Sequence, residues 1–510
     1  MTPSEIAVQL ASVYKLILPE IVLFAAACAI FLGGTVRSGR QFWGGVTLAV
    51  LGLGVLLTLK RLPAAAAPTT YLPLALDRLA ILIKLLAIIG GAVLVLSGWD
   101  DVSDERAADY YACLLVIIAG LGVVGAANDL VLLFLGLELI SIPTYVILYL
   151  QRTDLAAQEA GAKYFLLSVF AAGLLLFGFS YLYGLSGTTN ITAMMTALRS
   201  AEADRLPLLA VVALVMVAAG FGFKLTAVPF HFYAPDVYQG TTLSSAALLA
   251  FIPKVAGVVG LLRVLGFVWA EPGRPPGLAL GSQAPILFWI LAVMTMSVGN
   301  ILALLQDNLR RILAYSSVAH AGYMLIGLAV APDLSRQPDV GGVEAVLFYL
   351  VAYGAMTLGA FGVINYLSSP TQPVETVDDL AGVSKSNPGT ALLLALFMFS
   401  LIGIPATAGF SGKFLLFYGA LSVTPESAGD DHARLFRILA LIGAINAAIG
   451  AWYYLRIVAA MYLRTPLRAI DKPRAWPGLA AIWVCAAVTI VLGVWPQPLV
   501  LAVRAAALGQ

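Results

Sequence analysis

Charge is scarce in this sequence. Only 11% of its 510 residues are Asp, Glu, Lys or Arg, whereas 61% are hydrophobic; ordinary soluble domains carry about 25% charged residues. So little polar surface cannot cover so apolar a core in water, which excludes a water-soluble globular protein. The few charges nearly cancel, 29 basic against 27 acidic for a net +2, so no basic excess points to a nucleic-acid partner. Cysteine is almost absent: Cys28, Cys113 and Cys485 lie far apart, each inside an apolar stretch. They form no CxxC pair, no iron–sulfur spacing and no disulfide framework, and read as small buried hydrophobes. Histidine is equally rare, with His231, His320 and His432 only, fewer than a multi-haem or copper centre draws on. The sequence therefore gives no metal or redox cofactor a site of its own. A P-loop, a GxGxxG turn, an HExxH pair and a GxSxG elbow are missing too.

What is present is a succession of long apolar runs with a mean hydropathy of +0.95. A spanning helix needs about 20 apolar residues. Reading runs against short polar breaks predicts fourteen transmembrane helices, from Leu16–Leu32 to Pro477–Leu492. The first run, preceded by Glu5 and Lys15 and followed by no AxA-like site, reads as a retained span and not a signal peptide. The runs are continuous and not alternating, which excludes a β-barrel. No long polar stretch interrupts them, so residues 1–510 form a single polytopic domain. An even number of spans puts both termini on one side. Arg37, Arg40, Arg152, Arg310, Arg311, Arg464, Arg468 and Lys472 lie in the opposite loops, and Lys60, Arg61, Arg199, Arg205, Arg336, Arg434 and Arg437 on the terminal side. This thin bias places the termini on the non-cytoplasmic side of a cell membrane.

Two runs are sharply interrupted. Pro229, His231, Pro235 and Gly240 follow the run Leu206–Val228, and Gly403, Pro405, Gly409 and Gly412 break the run Ala391–Leu421. Backbone freed by such breaks must be satisfied by protein or water, and paired broken helices in two halves of a chain point to inverted repeats around a midplane site.

Ionisable residues inside apolar runs are the other signal, because a central charge costs about 2.5–3.5 kcal/mol on insertion scales. Glu138 lies in VLLFLGLELISIPTYVILYL, nine residues after Asp129 and so about 13 Å along a helix. Lys224 precedes the first interruption, Lys413 lies inside the second, and Lys254 has apolar sequence on both sides. Lys163 and Lys84 lie within about two turns of a helix start, where snorkelling to the headgroups competes with a buried role. These types permit proton relay. Burial weakens a lysine's hold on its proton and a neighbouring carboxylate restores it, so making and breaking a Glu–Lys pair moves a proton. His231 and His320 are secondary candidates, as is Asp129; the 20 Tyr and 8 Trp read as packing and interfacial belts.

At these segments the sequence resembles the antiporter-like membrane subunits of respiratory complex I (NADH–quinone oxidoreductase). The carriers are LPEIVL from Leu18, NDLVLLFLGLELISIPTYVIL from Asn128, GAKYFLLSVFAAGLLLFG from Gly161, FKLTAVPFHFYAPDVYQG from Phe223, NLRRILAYSSVAHAGYMLIG from Asn308 and GIPATAGFSGKF from Gly403. The resemblance implies an all-α integral membrane protein with about 14 transmembrane helices. It also implies two inverted five-helix repeats, 109–269 and 284–463, with broken helices 7 and 12. Glu138 and Lys224 match the family's coupled pair, Lys163 its sixth-helix lysine, Lys254 its central lysine and Lys413 its terminal lysine. A twelfth-helix lysine with LPEI and SIPTY favours the subunit N branch over subunit M, and the absence of a long lateral helix disfavours subunit L. Tyr233 and Gln239 depart from the family's usual Trp and Glu in what read as loop positions. The implied function is proton translocation coupled to quinone reduction elsewhere. NADH, FMN, iron–sulfur clusters and quinone would sit in partner subunits, both membrane and peripheral. The alternative is a subunit of a multi-subunit cation/proton antiporter. A solute transporter would need polar substrate contacts at the midplane, which the sequence does not offer.

Overall fold

The computed structural model describes Tyr14 and residues 17–61, 72–75, 77–152, 154–200, 208–265, 279–334, 341–369, 372–425, 429–466 and 475–507. Glu5, Lys15, Arg205, Arg336, Arg468 and Lys472 lie outside the described residues, as does the side chain of Arg199. Among the described residues the chain is helical with no strand. It runs through α1 (Leu18–Gly34), α2 (Arg40–Leu59), α3 (Arg78–Ser97), α4 (Ala107–Ala126), α5 (Leu130–Gln151), α6 (Leu155–Ser186), α7 (Ile191–Ser200), α8 (Leu208–Leu225), α9 (Ala234–Gly240) and α10 (Leu243–Leu265). The second half holds α11 (Ala279–Leu304), α12 (Leu309–Leu334), α13 (Gly342–Leu367), α14 (Val383–Ser386), α15 (Pro388–Ile402), α16 (Ala408–Ser422), α17 (Asp430–Leu463), α18 (Trp476–Val494) and α19 (Gln497–Ala507). Twelve of these are long and apolar enough to cross a membrane. The expected fourteen would add the 17-residue α1 and the interrupted pair α15 and α16. The short helices α7 and α19 fall in segments the apolar runs did not reveal.

Caps fix where several helices start. Asp77 accepts from Ala80 N at 2.7 Å to open α3, and Asp129 accepts from Val131 N at 2.9 Å to open α5. Asp154 opens α6, accepting from Ala157 N at 3.3 Å. A hydrogen bond from the Arg152 guanidinium holds the Asp154 carboxyl below the usual carboxylate range. Within the bilayer, close helix approach needs small residues. Gly322 of α12 lies so near α11 that a Cβ there would stand 2.5 Å from Met296 N, and α11 and α12 form one tightly packed hairpin.

Every residue of α10 is buried, and α4, α12 and α13 are buried almost throughout. Only about a third of the apolar windows of α2, α6, α17 and α18 are buried, with the rest facing outward. The inner helices therefore carry the residues that water and lipid cannot reach, and both interruptions open onto them. The first runs from Thr226 to Tyr233, between α8 and α9; the second runs from Gly403 to Thr407, between α15 and α16. Each contains a non-glycine residue in the left-handed region, Thr226 at φ +58° and Ala406 at φ +67°. Such positions cost about 1–3 kcal/mol each and persist where the surroundings over-determine them.

Candidate functional site

α8 ends at Leu225 because Thr226 turns into the left-handed region, which frees the last carbonyls of the helix. Lys254, in the middle of α10, fills that gap. Its ammonium donates to Leu225 O at 3.1 Å, Thr226 Oγ1 at 2.8 Å and, across the interface with α12, Ser317 O at 2.7 Å. It is 0% exposed, and all three of these acceptors are neutral oxygens. The second interruption repeats the arrangement with different elements. Lys413, in the first turns of α16, donates to Leu401 O at 2.8 Å and Ile402 O at 3.0 Å, the freed carbonyls at the end of α15. Both ammonium groups thus sit at the C-terminal ends of half-helices, where the helix dipole is negative.

Lys224, one residue before the end of α8, is buried and donates to Ser141 Oγ at 2.6 Å and Ser168 Oγ at 3.3 Å. Glu138, one turn before Ser141 on α5, is half-buried and within electrostatic reach of Lys224. Ser141 and Ser168 hold the ammonium, and the two charged groups form no direct ion pair here. The α8 end packs on α10 at Gly257, where a Cβ would stand 3.3 Å from Lys224 Cβ, so Lys224 and Lys254 are near neighbours.

Beyond Lys254 the path is aromatic and hydroxylic. Tyr353 lies beside Lys254, its ring centroid 5.9 Å from Nζ, and beside His320, 5.3 Å between ring centroids. Its hydroxyl hydrogen-bonds Ser317 Oγ at 2.8 Å. His320 is buried between two tyrosine hydroxyls, Tyr349 at 2.6 Å from Nδ1 and Tyr454 at 3.0 Å from Nε2, and Tyr454 also bonds Ser316. Tyr323 then neighbours His320, 5.7 Å between centroids, and lies under Lys413, whose Nζ is 4.7 Å from its ring centroid. The structure therefore brings Lys224, Lys254, His320 and Lys413 into one buried series, with the half-buried Glu138 within reach of Lys224.

The other sequence candidates lie elsewhere. Lys163 is about two-fifths exposed and bonds Glu159 at 2.5 Å and Asp236 at 2.7 Å. Asp236, on α9, also takes Arg311 at 2.8 Å, so Lys163 belongs to a charged cluster at the edge of the molecule and is not in contact with Glu138 or Lys224. Asp129 serves as a cap, with Oδ2 also accepting from Thr189 at 2.6 Å. His231 is half-buried in the first interruption, and its Nδ1 has no hydrogen-bond partner. One open choice is decided, and two readings need correction. Lys84 does not snorkel: it is 3% exposed and bonds Glu20 of α1 at 3.0 Å, because a carboxylate from another helix neutralises it inside the protein. Gln239 is not a loop position, whereas Tyr233 lies in the turn just before α9. Tyr233 caps α9, stacks on Phe223 and donates to Phe223 O at 3.0 Å, while Gln239 lies within α9 and accepts from Arg311 at 3.0 Å. Cys28 is exposed, and Cys113 and Cys485 alone are buried.

Sequence reasoning missed the tyrosines. A tyrosine deep in a span needs a partner for its hydroxyl, so Tyr349 and Tyr353 in α13, with Tyr453 and Tyr454 in α17, were a usable signal. It also missed the Asp77–Arg263 pair, 2.5 Å, whose guanidinium also reaches Gly125 O at 3.1 Å. Among the described residues no group of three or more His, Cys, Asp and Glu could hold a metal ion.

Comparison with known proteins agrees with this fold. Residues 127–428 match the family described as "NADH:quinone oxidoreductase/Mrp antiporter, TM". NADH-quinone oxidoreductase subunit N of Methylobacterium nodulans is 38% identical over 495 residues, 96% of each chain. That of Anaeromyxobacter sp. is 38% identical over 84% of this chain and 83% of its own. Among solved structures, a chain of respiratory complex I from Thermus thermophilus with bound aureothin superposes with a TM-score of 0.76 at 29% identity, covering 96% of this chain and 99% of that one. A chain of the Mrp complex from Dietzia sp. shares the fold, with a TM-score of 0.78 at 19% identity over 96% and 97% of the two chains. The chain belongs to the NADH:quinone oxidoreductase/Mrp antiporter family of membrane subunits, in its subunit N branch.

Proposed function

We propose that this chain is a proton-translocating membrane subunit of an NADH:quinone oxidoreductase in a bacterial cell membrane. Protons would move through Glu138, Lys224, Lys254, His320 and Lys413, with Lys163 and its partners Glu159 and Asp236 at the edge of the path. The carrying observation is Lys254, a fully buried ammonium on three neutral oxygens. A purely structural lysine at such depth is costly and is more cheaply replaced by an apolar residue. Hydroxyls and an imidazole line the way from Lys254 to Lys413, and each can accept one proton while releasing another.

Glu138 supplies the bias. When its carboxylate draws Lys224 off Ser141 and Ser168, the ammonium is held; when the two separate, Lys224 is left on hydroxyls and can give up a proton. The same logic arranges the chain as two repeats, 109–269 and 284–463, each with one interruption. NADH, FMN, iron–sulfur clusters and quinone belong on this reading to partner subunits, and both termini to the non-cytoplasmic side. The names of the subunit N relatives and the complex I likeness support membership in such an assembly.

The test is Glu138→Gln in the assembled complex, in sealed vesicles. Proton uptake per quinone reduced should fall strongly while assembly persists; wild-type pumping would make Glu138 a structural residue. The likeness to the Mrp complex keeps a cation/proton antiporter as the second reading. Sodium-dependent proton movement without quinone reduction would favour it.

A further inference from the structure

Two asparagines are buried between α11 and α17, Asn300 at 1% and Asn446 at 3% exposure. Amides across membrane helices commonly serve as glue, but this pair reaches further. Asn446 Nδ2 donates to Ile442 O at 3.0 Å and Ser297 Oγ at 3.2 Å, and Asn446 Oδ1 accepts from Asn300 Nδ2 at 3.2 Å. Asn300 Nδ2 also donates to the Tyr323 hydroxyl at 3.3 Å, and Asn300 Oδ1 accepts from the Tyr453 hydroxyl at 3.0 Å. One backbone carbonyl sets the sense of the whole network, because Ile442 O can only accept. Asn446 therefore turns its oxygen to Asn300, Asn300 turns its nitrogen to Asn446 and Tyr323, and the Tyr323 oxygen is the acceptor. Gly450 of α17 leaves the room required: a Cβ there would stand 3.1 Å from Asn300 Oδ1.

Tyr323 joins this network to the lysine series. Its hydroxyl is tied to Asn300, its ring lies under Lys413 with Nζ 4.7 Å from the centroid, and it packs edge-to-face with Phe417 of α16 at 6.1 Å. An aromatic face within about 6 Å attracts an ammonium but not a neutral amine. An amide cannot accept a proton and release one at the same atom, as a hydroxyl can, so a phenol oxygen committed to Asn300 holds the ring in place. We propose that Asn300 is a positioning residue for Lys413: steadied by Asn446, it holds the Tyr323 ring beneath the ammonium. The proposal rests on the proton-translocation reading and deepens it, adding a side chain outside the lysine series that sets the surroundings of Lys413.

The test measures proton uptake per quinone reduced by the assembled complex in sealed vesicles, together with the amount of complex assembled. Asn300→Leu should lower uptake per complex about tenfold, the size of one well-placed cation–π contact. Tyr323→Phe keeps the ring but removes the oxygen that Asn300 holds, and should lower uptake by a similar factor. Because both act on one contact, the double variant should fall no further than either single one. An Asn300 that merely glues α11 to α17 would give less complex at parent uptake, or losses that multiply with those of Tyr323→Phe; either result overturns the proposal. Where Asn300→Leu does not assemble, Tyr323→Phe decides alone, and parent-level uptake overturns the proposal. Lys413→Ala separates this proposal from the reading beneath it. If Lys413→Ala is impaired while Tyr323→Phe pumps like the parent, the positioning is wrong and the relay stands. If Lys413→Ala also pumps like the parent, the relay fails and the positioning falls with it.

Discussion

Lys84→Met tests whether the buried charge outside the lysine series is structural. Lys84 and Glu20 are 3% and 5% exposed and meet at 3.0 and 3.1 Å. Methionine matches the lysine stem in length, so no cavity opens; the loss is the counter-charge to Glu20. Breaking one partner of a buried pair costs about 3–5 kcal/mol, because the remaining charge stays in low dielectric without compensation. Adding Glu20→Gln removes that charge at constant volume. Volume matters here, since Gly122 of α4 presses so closely that a Cβ would stand 2.4 Å from Glu20 Oε1. The double variant should therefore recover most of what the single one loses. The assay is the thermal inactivation midpoint of the purified complex together with the amount of chain retained in membranes, in a double-mutant cycle. Pumping per assembled complex should stay near wild type in the double variant. Lys254→Met should invert the pattern, because its three partners are neutral oxygens: assembly survives and pumping is lost. A single Lys84→Met as stable as the parent, or a double variant no better than the single, would refute the reasoning.

Lys413→Arg and Lys413→Ala should both impair proton translocation, since a guanidinium stays protonated at any working pH; wild-type pumping by the Arg variant in vesicles would remove Lys413 from the path. Asp129→Ala should lower stability by about 0.5–2 kcal/mol, the usual effect of losing an N-cap, with pumping per assembled complex unchanged. A pumping defect at full assembly would instead place Asp129 in the relay.

The interruptions were legible because proline and glycine announce them, and Lys254 because apolar sequence flanks it on both sides. Glu20 was not legible. It is the third residue of α1, where a carboxylate ordinarily meets water, and its partner is 64 residues away. Lys163 stayed undecided for the same kind of reason: whether a lysine two turns into a helix turns inward depends on what waits outside, and Asp236 waits 73 residues on. The capping role of Asp129 could have been read, since an Asp immediately before an apolar run is a start signal. The tyrosines could be counted but not placed, because composition does not distinguish an interfacial belt from a buried hydroxyl chain.

The three buried lysines of the series, Lys224, Lys254 and Lys413, are solvated in two different ways, and the difference bears on how a proton would move among them. Lys254 and Lys413 rest on the freed carbonyls of α8 and α15, dipoles equivalent to roughly half a charge at a helix end. Those carbonyls are freed where Thr226 and Gly403, each in the left-handed region, stop their helices. The dipoles are fixed by the fold and solvate an ammonium without neutralising it. Lys224 instead rests on two serine hydroxyls with the Glu138 carboxylate in reach. Hydroxyls rotate and a carboxylate side chain can swing, whereas Lys413 rests on backbone carbonyls and Lys254 on two carbonyls and the Thr226 hydroxyl. On the proton-translocation reading, movement of Glu138 toward or away from Lys224 would alter the first station while the carbonyls beside Lys254 and Lys413 stay in place.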